Sequence, residues 1–457
     1  MVQEVDVVVI GLGVGGEDLA GKLAESGLEV VGVERQLVGG ECPYWGCVPS
    51  KMMIRAADLL AEGRRIPGMA GQSRVTPDYS PVAARIRDEA TDDWDDTVAA
   101  DRLVDKGATL VRGVARLTGP GEVTVGDQVF TTRRGVVVAA GTTPSIPPVD
   151  GLADTPYWTN RDAIEAKEPP GSLIVLGGGA IGAELAQVFA RFGSQVSIVD
   201  LADQLVPMEE PEVGELLEKV LTDEGLTIRT GVTVSRVSHD GSVFTVDLGD
   251  ERLTAEQLLV ATGRRVDLGS LGVDSIGLDP QAPSLEVDEH MRAGEKLWAI
   301  GDVTGKGAFT HVAMYQSAIA ARSILGEDGP PAQYRATPRV TFTDPEIGAV
   351  GLTEAQAREK GVRVRTGTTQ IPSSARGWIH KAGNEGLVKL VEDVDRGVLV
   401  GATSVGPNGG EVLGALAVAV HAEVGTDQLA QMMYAYPTFH RAIEDALRDL
   451  REQSGDG

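Results

Sequence analysis

The sequence predicts an α/β protein with two Rossmann-like units followed by a smaller α+β domain. Two stretches, 5–34 and 172–200, each show the order strand, glycine-rich turn, helix and second strand. From about residue 335 the pattern changes to short strands and turns, with helical runs near 409–423 and 439–450. A length of 457 residues also fits about three domains of roughly 100 to 200 residues each.

Composition and charge exclude several classes of protein. The chain is 42% hydrophobic and 24% charged, as expected of a globular protein with a large core. Its net charge of -26 repels phosphate backbones and anionic lipids, so we expect no nucleic-acid partner and no membrane partner. The chain enters a strand at Val5 without a basic segment or a long apolar span, which predicts a cytoplasmic protein.

The first unit carries a dinucleotide fingerprint in its proper context. A strand at Val5–Ile10 leads into Gly11, Gly13 and Gly16, and a helical run follows as far as residue 26. A helix that begins at such a turn can receive a pyrophosphate at its N-terminus. Glu34 ends the next strand, where a carboxylate can bind ribose hydroxyls. A lone glycine motif is weak evidence, but the strand-turn-helix-strand order strengthens it.

The second unit repeats the first. Its glycines are Gly177, Gly179 and Gly182, and its acid is Asp200; in both units the acid follows the third glycine by 18 residues (16 to 34 and 182 to 200). Two such units predict two dinucleotide cofactors. Asp200 would bind a free 2'-hydroxyl and repel a 2'-phosphate, and positions 201–206 contain no Lys or Arg. We therefore expect NAD(H) rather than NADP(H) in this unit.

Further strands and turns frame these units. Similar strand-to-glycine runs occur at 136–142 and 258–264, and a third strand at 297–300 ends in Gly301-Asp302. Segments 146–151 and 168–171 are rich in Pro and Gly, which is typical of linkers. A helix from about Thr310 to Leu325 would direct its N-terminus at a ligand. A buried strand that merely ends at glycine is the alternative interpretation of each run.

The only two cysteines, Cys42 and Cys47, form a C-x4-C motif before a helical run at 50–60. A position near a helix N-terminus favours the thiolate at Cys47. Two buried thiols or half of a metal site are the alternatives. With no further cysteine to complete a zinc site, and no histidine nearby, we expect no metal site and favour a redox pair.

Three motifs together resemble those of the FAD-dependent pyridine nucleotide-disulfide oxidoreductases, and the resemblance spans nearly the whole chain. Gly39-Gly40-Glu41-Cys42 with Gly46-Cys47-Val48-Pro49-Ser50-Lys51 is similar to the redox signature of that family. Gly301-Asp302 resembles its FAD ribityl motif, and residues 343–354 resemble the start of its dimerisation domain.

The resemblance implies FAD in the first unit, NAD(H) in the second, and a homodimer that passes electrons to a small-molecule acceptor. It implies an FAD-binding domain at 1–150 and 265–334, an NAD(P)-binding domain at 151–264 and a dimerisation domain at 335–457. Cys47 would be the thiolate at the flavin, Cys42 the thiol that exchanges with substrate, and Lys51 a cation near flavin N5 paired with Glu184. The implied cofactor-binding residues are Gly11, Gly13, Gly16, Glu34, Lys51, Ala115, Gly141, Asp302, Thr310 and His311 for FAD, and Gly177, Gly179, Gly182, Glu184, Asp200, Val232 and Gly263 for NAD(H). We expect His311 to act through its backbone and packing rather than as an acid or base.

One departure from the family concerns the C-terminal acid-base dyad. Disulfide reductases of the family carry His-Pro-Thr-x-x-Glu, but this chain has Tyr436-Pro437-Thr438-Phe439-His440-Arg441. A phenol with a pKa of about 10 is a poor base at neutral pH. His440 could substitute for the missing histidine, with Glu444 four residues later, although a surface pair is the preferred interpretation.

The sequence thus predicts an NADH-dependent flavoprotein whose Cys42-Cys47 pair reduces an acceptor that needs no histidine dyad. An atypical disulfide, a quinone and a metal ion all remain open. The alternatives are dihydrolipoamide dehydrogenase, the ketone carboxylase branch and a noncatalytic FAD-binding, redox-responsive scaffold. Mercuric reductase and large thioredoxin reductase are disfavoured because the chain has no further C-terminal redox residues.

Overall fold

A computed structural model describes residues 2–452. The fold divides into two compact units. Unit 1 comprises the residues up to Ser50, Ala84–Ser145 and Arg264–Gln333. Unit 2 comprises Lys51–Ala83, Ile146–Gly263 and the residues from Tyr334 onward.

Helices and strands follow one another along residues 2–452. Up to residue 145 they are β1 (Val2–Ile10), α1 (Val14–Glu25), β2 (Val30–Glu34), α2 (Glu41–Tyr44), α3 (Cys47–Arg65), α4 (Ser80–Arg85), α5 (Thr97–Asp105), β3 (Thr109–Arg112), β4 (Ala115–Gly119), β5 (Glu122–Val125), β6 (Gln128–Val138) and β7 (Thr143–Pro144). From 146 to 333 they are α6 (Asn160–Glu165), β8 (Ser172–Leu176), α7 (Ala180–Arg191), β9 (Gln195–Val199), α8 (Pro211–Asp223), β10 (Thr227–Arg229), β11 (Arg236–His239), β12 (Phe244–Asp247), β13 (Arg252–Ala255), β14 (Gln257–Val260), β15 (Arg264–Arg265), α9 (Leu268–Leu271), β16 (Arg292–Gly294), β17 (Leu297–Ala299) and α10 (Thr310–Leu325). The remainder are β18 (Pro338–Thr341), β19 (Glu346–Gly351), α11 (Glu354–Glu359), β20 (Val364–Gln370), α12 (Ala375–His380), β21 (Leu387–Asp393), β22 (Val398–Gly406), α13 (Gly409–His421), α14 (Thr426–Gln431) and α15 (Ala442–Glu452).

Unit 1 is built on a largely parallel sheet. Strands β17, β6, β1, β2 and β3 run parallel in that order, with β16 at one edge and the β4-β5 hairpin joined to β6. Ile10 is level with Val33 on one side and with Val138 on the other. The carboxyl ends of three strands therefore meet at one edge, which is where ligands bind in open α/β sheets.

Unit 2 contains three main sheets. A four-stranded parallel sheet has the order β10-β9-β8-β14, and β11-β12-β13 form an antiparallel sheet. The third sheet is antiparallel with the order β18-β19-β22-β21-β20; the core that includes its residues Leu390 and Ala402 is completed by α13 and α15. Leu176 is level with Val199 and Val260. The carboxyl ends of three parallel strands therefore meet at one edge of this sheet too, as in unit 1.

The predicted fold class is confirmed. Helix α10 has the predicted bounds, and the strands of both βαβ patterns agree within three residues. The helical run predicted at 50–60 lies within α3, which begins at Cys47, so the prediction that Cys47 lies near a helix N-terminus is confirmed. In the strand-turn run at 136–142, the strand ends at Val138. The small β11-β12-β13 sheet was not predicted. Among residues 2–452, no helix has the length and apolarity needed to cross a membrane.

Candidate active site

The glycine loop of unit 1 leaves space where a phosphate would lie. Gly11 has φ +89°, and a Cβ added there would lie 2.6 Å from the Ala139 carbonyl oxygen. At Gly16 an added Cβ would lie 2.0 Å from the Gly11 carbonyl oxygen, so strand and helix approach too closely for any side chain. Gly13 differs, because an added Cβ would meet nothing within 4 Å. The open position lies where α1 begins without a side-chain cap, which fits the pyrophosphate of a dinucleotide.

Glu34 fixes this loop. Its side chain is buried, and its Oε2 accepts the Leu12 N–H at 2.8 Å while its Oε1 accepts the Gln36 N–H at 2.7 Å. The Glu34 carboxylate therefore holds two backbone segments in place, the glycine loop at Leu12 and the residues that follow β2. Ala115, implied by the resemblance, is buried at the first position of β4.

The glycine loop of unit 2 has the same geometry. Gly177 has φ +106°, and an added Cβ would lie 2.4 Å from the Ala261 carbonyl oxygen. An added Cβ at Gly182 would lie 1.9 Å from the Gly177 carbonyl oxygen, whereas one at Gly179 would meet nothing within 4 Å. Helix α7 again begins at this loop without a side-chain cap. This loop therefore also fits a dinucleotide pyrophosphate.

Asp200 occupies the place that Glu34 has in unit 1. Its Oδ2 accepts the Gly178 N–H at 2.5 Å, and its Oδ1 accepts the Ala202 N–H at 2.8 Å. Val232 donates its N–H to the Asp200 carbonyl at 3.1 Å, so the predicted residue Val232 borders the same corner. Gly263 follows β14 with φ +121°.

The two cysteines lie at consecutive helix starts in unit 1. Cys42 is in the short helix α2 and is partly buried, while Cys47 is the first residue of α3 and is exposed. Both are thiols in this structure. A hydrogen bond with the Cys47 side chain, together with burial, raises the pKa of the Cys42 thiol. Cys42 therefore keeps its proton, while the N-terminus of α3 favours the thiolate of Cys47.

Helix α10 begins beside the cysteines. The Thr310 hydroxyl oxygen lies 3.6 Å from the Cys47 sulfur, and a hydrogen bond from Thr310 partly offsets the raised pKa of Cys42. His311 is exposed, and its ring stacks on Phe309 at a centroid distance of 5.2 Å. The contacts of Thr310 therefore connect the start of α10 with both thiols.

A network around Asp302 was missed by sequence reasoning. The Thr142 hydroxyl donates to Asp302 at 2.8 Å, and the Arg264 guanidinium donates to both the hydroxyl and the carbonyl of Thr142 at 2.8 Å. Arg264 also lies 3.8 Å from the carboxylate of Glu41, the residue before Cys42. The only signal in the sequence was that Thr142 and Arg264 each follow a glycine at the end of a strand run. The glycine before Thr142, Gly141, has φ +64°.

Lys51 and Glu184 form an ion pair in unit 2. Lys51 Nζ lies 2.8 Å from Glu184 Oε2, and the other carboxylate oxygen accepts the Phe342 N–H at 2.8 Å. Nζ also lies 4.6 Å from the centroid of the Phe342 ring. Because Glu184 is only 6% exposed, the pair fixes the lysine in one direction.

The C-terminal segment lacks an acid-base pair. Tyr436 is 70% exposed, and the Arg441 guanidinium carbon lies 5.5 Å from the centroid of its ring. His440 contacts the Thr438 hydroxyl at 3.3 Å, whereas Glu444 pairs with Arg441 at 2.8 Å. The preferred surface pair of His440 and Glu444 is therefore corrected: Glu444 pairs with Arg441, and α15 begins only at Ala442. The role of His440 as a substitute base stays a prediction.

The described residues show no resident metal centre. Across residues 2–452, no cluster of three or more His, Cys, Asp or Glu side chains is arranged to bind a metal ion.

Comparison with known proteins gives the family. Residues 5–317 match the pyridine nucleotide-disulphide oxidoreductase model, and residues 337–447 match the dimerisation domain of that family. The chain is 32% identical to a mercuric reductase of Staphylococcus aureus, over 96% of this chain and 81% of that protein. It is also 32% identical to a dihydrolipoyl dehydrogenase of Chlorobaculum tepidum, over 98% of both chains.

A solved structure supports the same conclusion. The Cu(II) complex of the HOCl-induced flavoprotein disulfide reductase RclA from Escherichia coli superposes with a TM-score of 0.85 at 25% identity, covering 98% of this chain and 99% of that one. Members of this family use FAD and NAD(P)H. The chain therefore belongs to the pyridine nucleotide-disulphide oxidoreductases, a family of FAD-dependent enzymes with a redox-active disulfide.

Proposed function

We propose that this protein is an NADH-preferring flavoprotein that reduces a thiol-binding metal ion through the Cys42-Cys47 pair. The observation that carries the proposal is the C-terminal segment: Tyr436 and Arg441 replace the dyad, while both cysteines are retained. Reduction of an organic disulfide needs a proton for the departing thiolate, but reduction of a metal ion does not. Soft thiolates also select ions such as Hg²⁺ and copper.

Some of the relatives support a metal acceptor, whereas the dihydrolipoyl dehydrogenase relative represents the alternative function. Several proteins about 32% identical to this chain are named mercuric reductases, and the similar RclA structure is a Cu(II) complex. This chain has only Cys42 and Cys47, so the dithiol itself would bind the ion. The balance is simple: NADH and one Hg²⁺ give NAD⁺, a proton and Hg⁰, or NADH and two Cu²⁺ give NAD⁺, a proton and two Cu⁺.

The residues of the chain have distinct roles in this proposal. Bound FAD would supply the two-electron chemistry that connects NADH with the Cys42-Cys47 disulfide. The loop at Gly13 and Glu34 binds FAD, and the loop at Gly179 and Asp200 binds NAD(H). Lys51, oriented by Glu184, would supply the positive charge that the family resemblance implies near flavin N5. We assign residues 1–150 and 265–334 to FAD, 151–264 to NAD(H) and 335–457 to dimerisation.

The two thiols have different roles in the proposed transfer of electrons to the acceptor. Cys47, at the N-terminus of α3, carries the thiolate, and Cys42 keeps its proton until an acceptor approaches. Metal ions that bind the sulfurs would displace that proton and take the electron pair of the dithiol, either one Hg²⁺ or two Cu²⁺, while the Cys42-Cys47 disulfide forms again. Tyr436, as a residue of the partner subunit in the proposed homodimer, would limit access or donate one hydrogen bond.

The test measures NADH oxidation by the FAD-loaded protein with Hg²⁺, Cu²⁺, a quinone, lipoamide and glutathione disulfide. We expect metal ions to exceed both disulfides in kcat/KM by at least about tenfold. Cys42→Ser should abolish metal reduction yet leave reduction of the flavin by NADH nearly unchanged. Retained activity with a quinone alone would identify a quinone reductase, and no turnover with any acceptor would support a noncatalytic scaffold.

Restoring the dyad provides a second test. The double variant Y436H/R441E should raise lipoamide reduction by about 10²-fold, because it supplies the missing general acid. The matched control Y436F/R441Q removes the same groups without adding a dyad and should not raise it. If the unmodified protein already reduces lipoamide rapidly, with a pH profile that His440→Ala eliminates, then His440 is the proton shuttle and the proposal is wrong.

A further inference from the structure

A second ion pair lies on the two helices that carry Lys51 and Glu184. Arg191 Nη1 of α7 lies 2.7 Å from the Asp58 carboxylate of α3, and each of these residues follows its helix's member of the first pair by seven positions. Seven residues make nearly two turns, so the two pairs share one face of each helix and lie about 10 Å apart along the axis. Helices α3 and α7 are therefore joined at two levels in one register.

The charges of the two pairs are exchanged between the helices. Helix α3 supplies the cation of the first pair, Lys51, and the anion of the second, Asp58. If α3 slid along α7 by two turns, Lys51 would face Arg191 or Asp58 would face Glu184. Like charges would then lie opposite each other, so the exchange of charges disfavours these shifted registers.

Arg191 is fixed on the α7 side by two further carboxylates. Its side chain is 2% exposed, and its guanidinium donates to Glu224 at 2.6 and 2.9 Å and to Asp344 at 2.7 Å. Neither carboxylate belongs to α3. Asp58 therefore ties α3 to a side chain that is already held in place.

Beyond the second pair, long polar side chains continue the connection. Arg64 of α3 donates to the Arg191 carbonyl at 2.7 Å, and Arg65 donates at 2.7 Å to the same Asp344 oxygen that Arg191 binds. A cleft of about 440 Å³ between the ends of the two helices borders these arginines. Because apolar side chains do not fill this end, the spacing of the helices there depends on the charged contacts.

We infer that Asp58 and Arg191 are positioning residues that hold α3 in the register in which Lys51 meets Glu184. This role rests on the proposed function, which uses the Lys51 ammonium near flavin N5. A single ion pair restrains one point of α3, whereas a second pair about 10 Å away also restrains its tilt and translation. Without the second pair, Lys51 would be held less well, and reduced flavin would lose part of the positive charge that stabilises it.

The test measures the midpoint potential of the flavin in the FAD-loaded variant Asp58→Asn, after both cysteines have been reduced. A pH of about 8 is suitable, because burial raises the pKa of Asp58 only to about 6 and the carboxylate is then charged. Loss of this negative charge should by itself raise the potential, since reduced flavin is the more negative form. A displaced Lys51 should instead lower it. The sign of the shift therefore separates positioning from a direct effect of charge.

We expect the potential to fall in Asp58→Asn, by about threefold in the ratio of reduced to oxidised flavin, because a partly exposed pair contributes modestly. Lys51→Met gives the reference, with a fall of about tenfold, or about 30 mV for two electrons. The double variant K51M/D58N should lie no lower than Lys51→Met, since Asp58 acts through Lys51. Glu62→Gln is the matched control: it removes the same charge from α3, but Glu62 pairs with Arg65 of its own helix, and the potential should not fall.

The variant Asp58→Ala repeats the test and should show the same fall, with the flavin content reporting that each protein is folded. The inference is overturned if Asp58→Asn keeps or raises the potential, if Glu62→Gln lowers it equally, or if the double variant lies below Lys51→Met. An unchanged potential in Lys51→Met would overturn both the inference and the role of Lys51 in the proposed function, whereas the preceding outcomes leave that role intact. Equilibration with a reference dye needs no acceptor, so a wrong acceptor would not affect the measurement.

Discussion

The two glycine-rich units have the same backbone design but fill it with opposite side chains. In unit 1 the residue after the first glycine is Leu12, which packs on Gly32 so closely that an added Cβ there would lie 2.9 Å from Leu12. In unit 2 the corresponding pair is Gly178 and Ile198, with the large and small residues exchanged. The glycine spacing therefore fixes the turn. The side-chain volume that fills the space beside the turn can come from either of the two facing residues.

The helix starts of the two units also differ in how they are covered. Gly15 in α1 is buried against α10, where an added Cβ would lie 3.0 Å from the Ala313 side chain. The corresponding residue of α7, Ile181, is 39% exposed. A covered site suits a cofactor that stays bound and an open site suits one that exchanges after each turnover. This difference agrees with the proposed assignment of FAD to unit 1 and NAD(H) to unit 2.

The largest expected effect separates the two sites by function. Gly16→Ala would place Cβ 2.0 Å from the Gly11 carbonyl oxygen, so the protein should be isolated without visible flavin absorbance and without activity. Gly182→Ala creates an equivalent clash at 1.9 Å, yet it should retain flavin and lose reduction by NADH by at least about 100-fold. Gly119→Ala, with open space at Cβ, is the control. Normal flavin content in Gly16→Ala would contradict the assignment.

A smaller effect tests the exchange of side-chain volume. Leu12→Gly and Gly32→Ile should each destabilise the protein by about 2 to 4 kcal/mol, through a cavity and a clash respectively. The double variant L12G/G32I should recover at least about half of the summed loss, because the two changes compensate. Urea denaturation of the flavin-loaded protein measures these differences.

The same exchange should fail in unit 2. There an added Cβ at Gly178 would lie 2.5 Å from Leu205, a third residue that has no counterpart in the Leu12-Gly32 contact. G178L/I198G should therefore recover little of the loss caused by Gly178→Leu. Equal recovery in both units would mean that Leu205 moves aside and that the packing difference is unimportant.

The smallest expected effect concerns the second glycine of each motif. Because nothing lies within 4 Å of an added Cβ at Gly13 or Gly179, Gly13→Ala and Gly179→Ala should leave the stability of the ligand-free protein unchanged. Each added methyl group should instead weaken one ligand by about tenfold, or about 1.4 kcal/mol. Gly13→Ala should affect the Kd of FAD, and Gly179→Ala the KM for NADH. An effect on the wrong ligand would reverse the assignment of the two sites.

Much of the site could be predicted from the sequence because its signals are local. The spacing from Gly11 to Glu34 repeats from Gly177 to Asp200, and the C-x4-C motif is contiguous. A strand, a tight turn and a helix follow from neighbouring residues, since glycine is needed where φ is positive and the helix N-terminus creates the anion site. The sequence by itself therefore determined the fold class, the two dinucleotide loops and the redox pair.

Only the tertiary structure decided which distant side chains meet. Thr142 and Asp302 are separated by 160 residues, and Thr142 and Arg264 by 122, yet they form one hydrogen-bonded network. The structure also pairs Glu251 with Arg229, which lie 22 residues apart, in the turn that leads into β13 and in β10 of another sheet. Such contacts depend on how sheets and turns converge in space, and no short-range spacing in the sequence encodes that convergence.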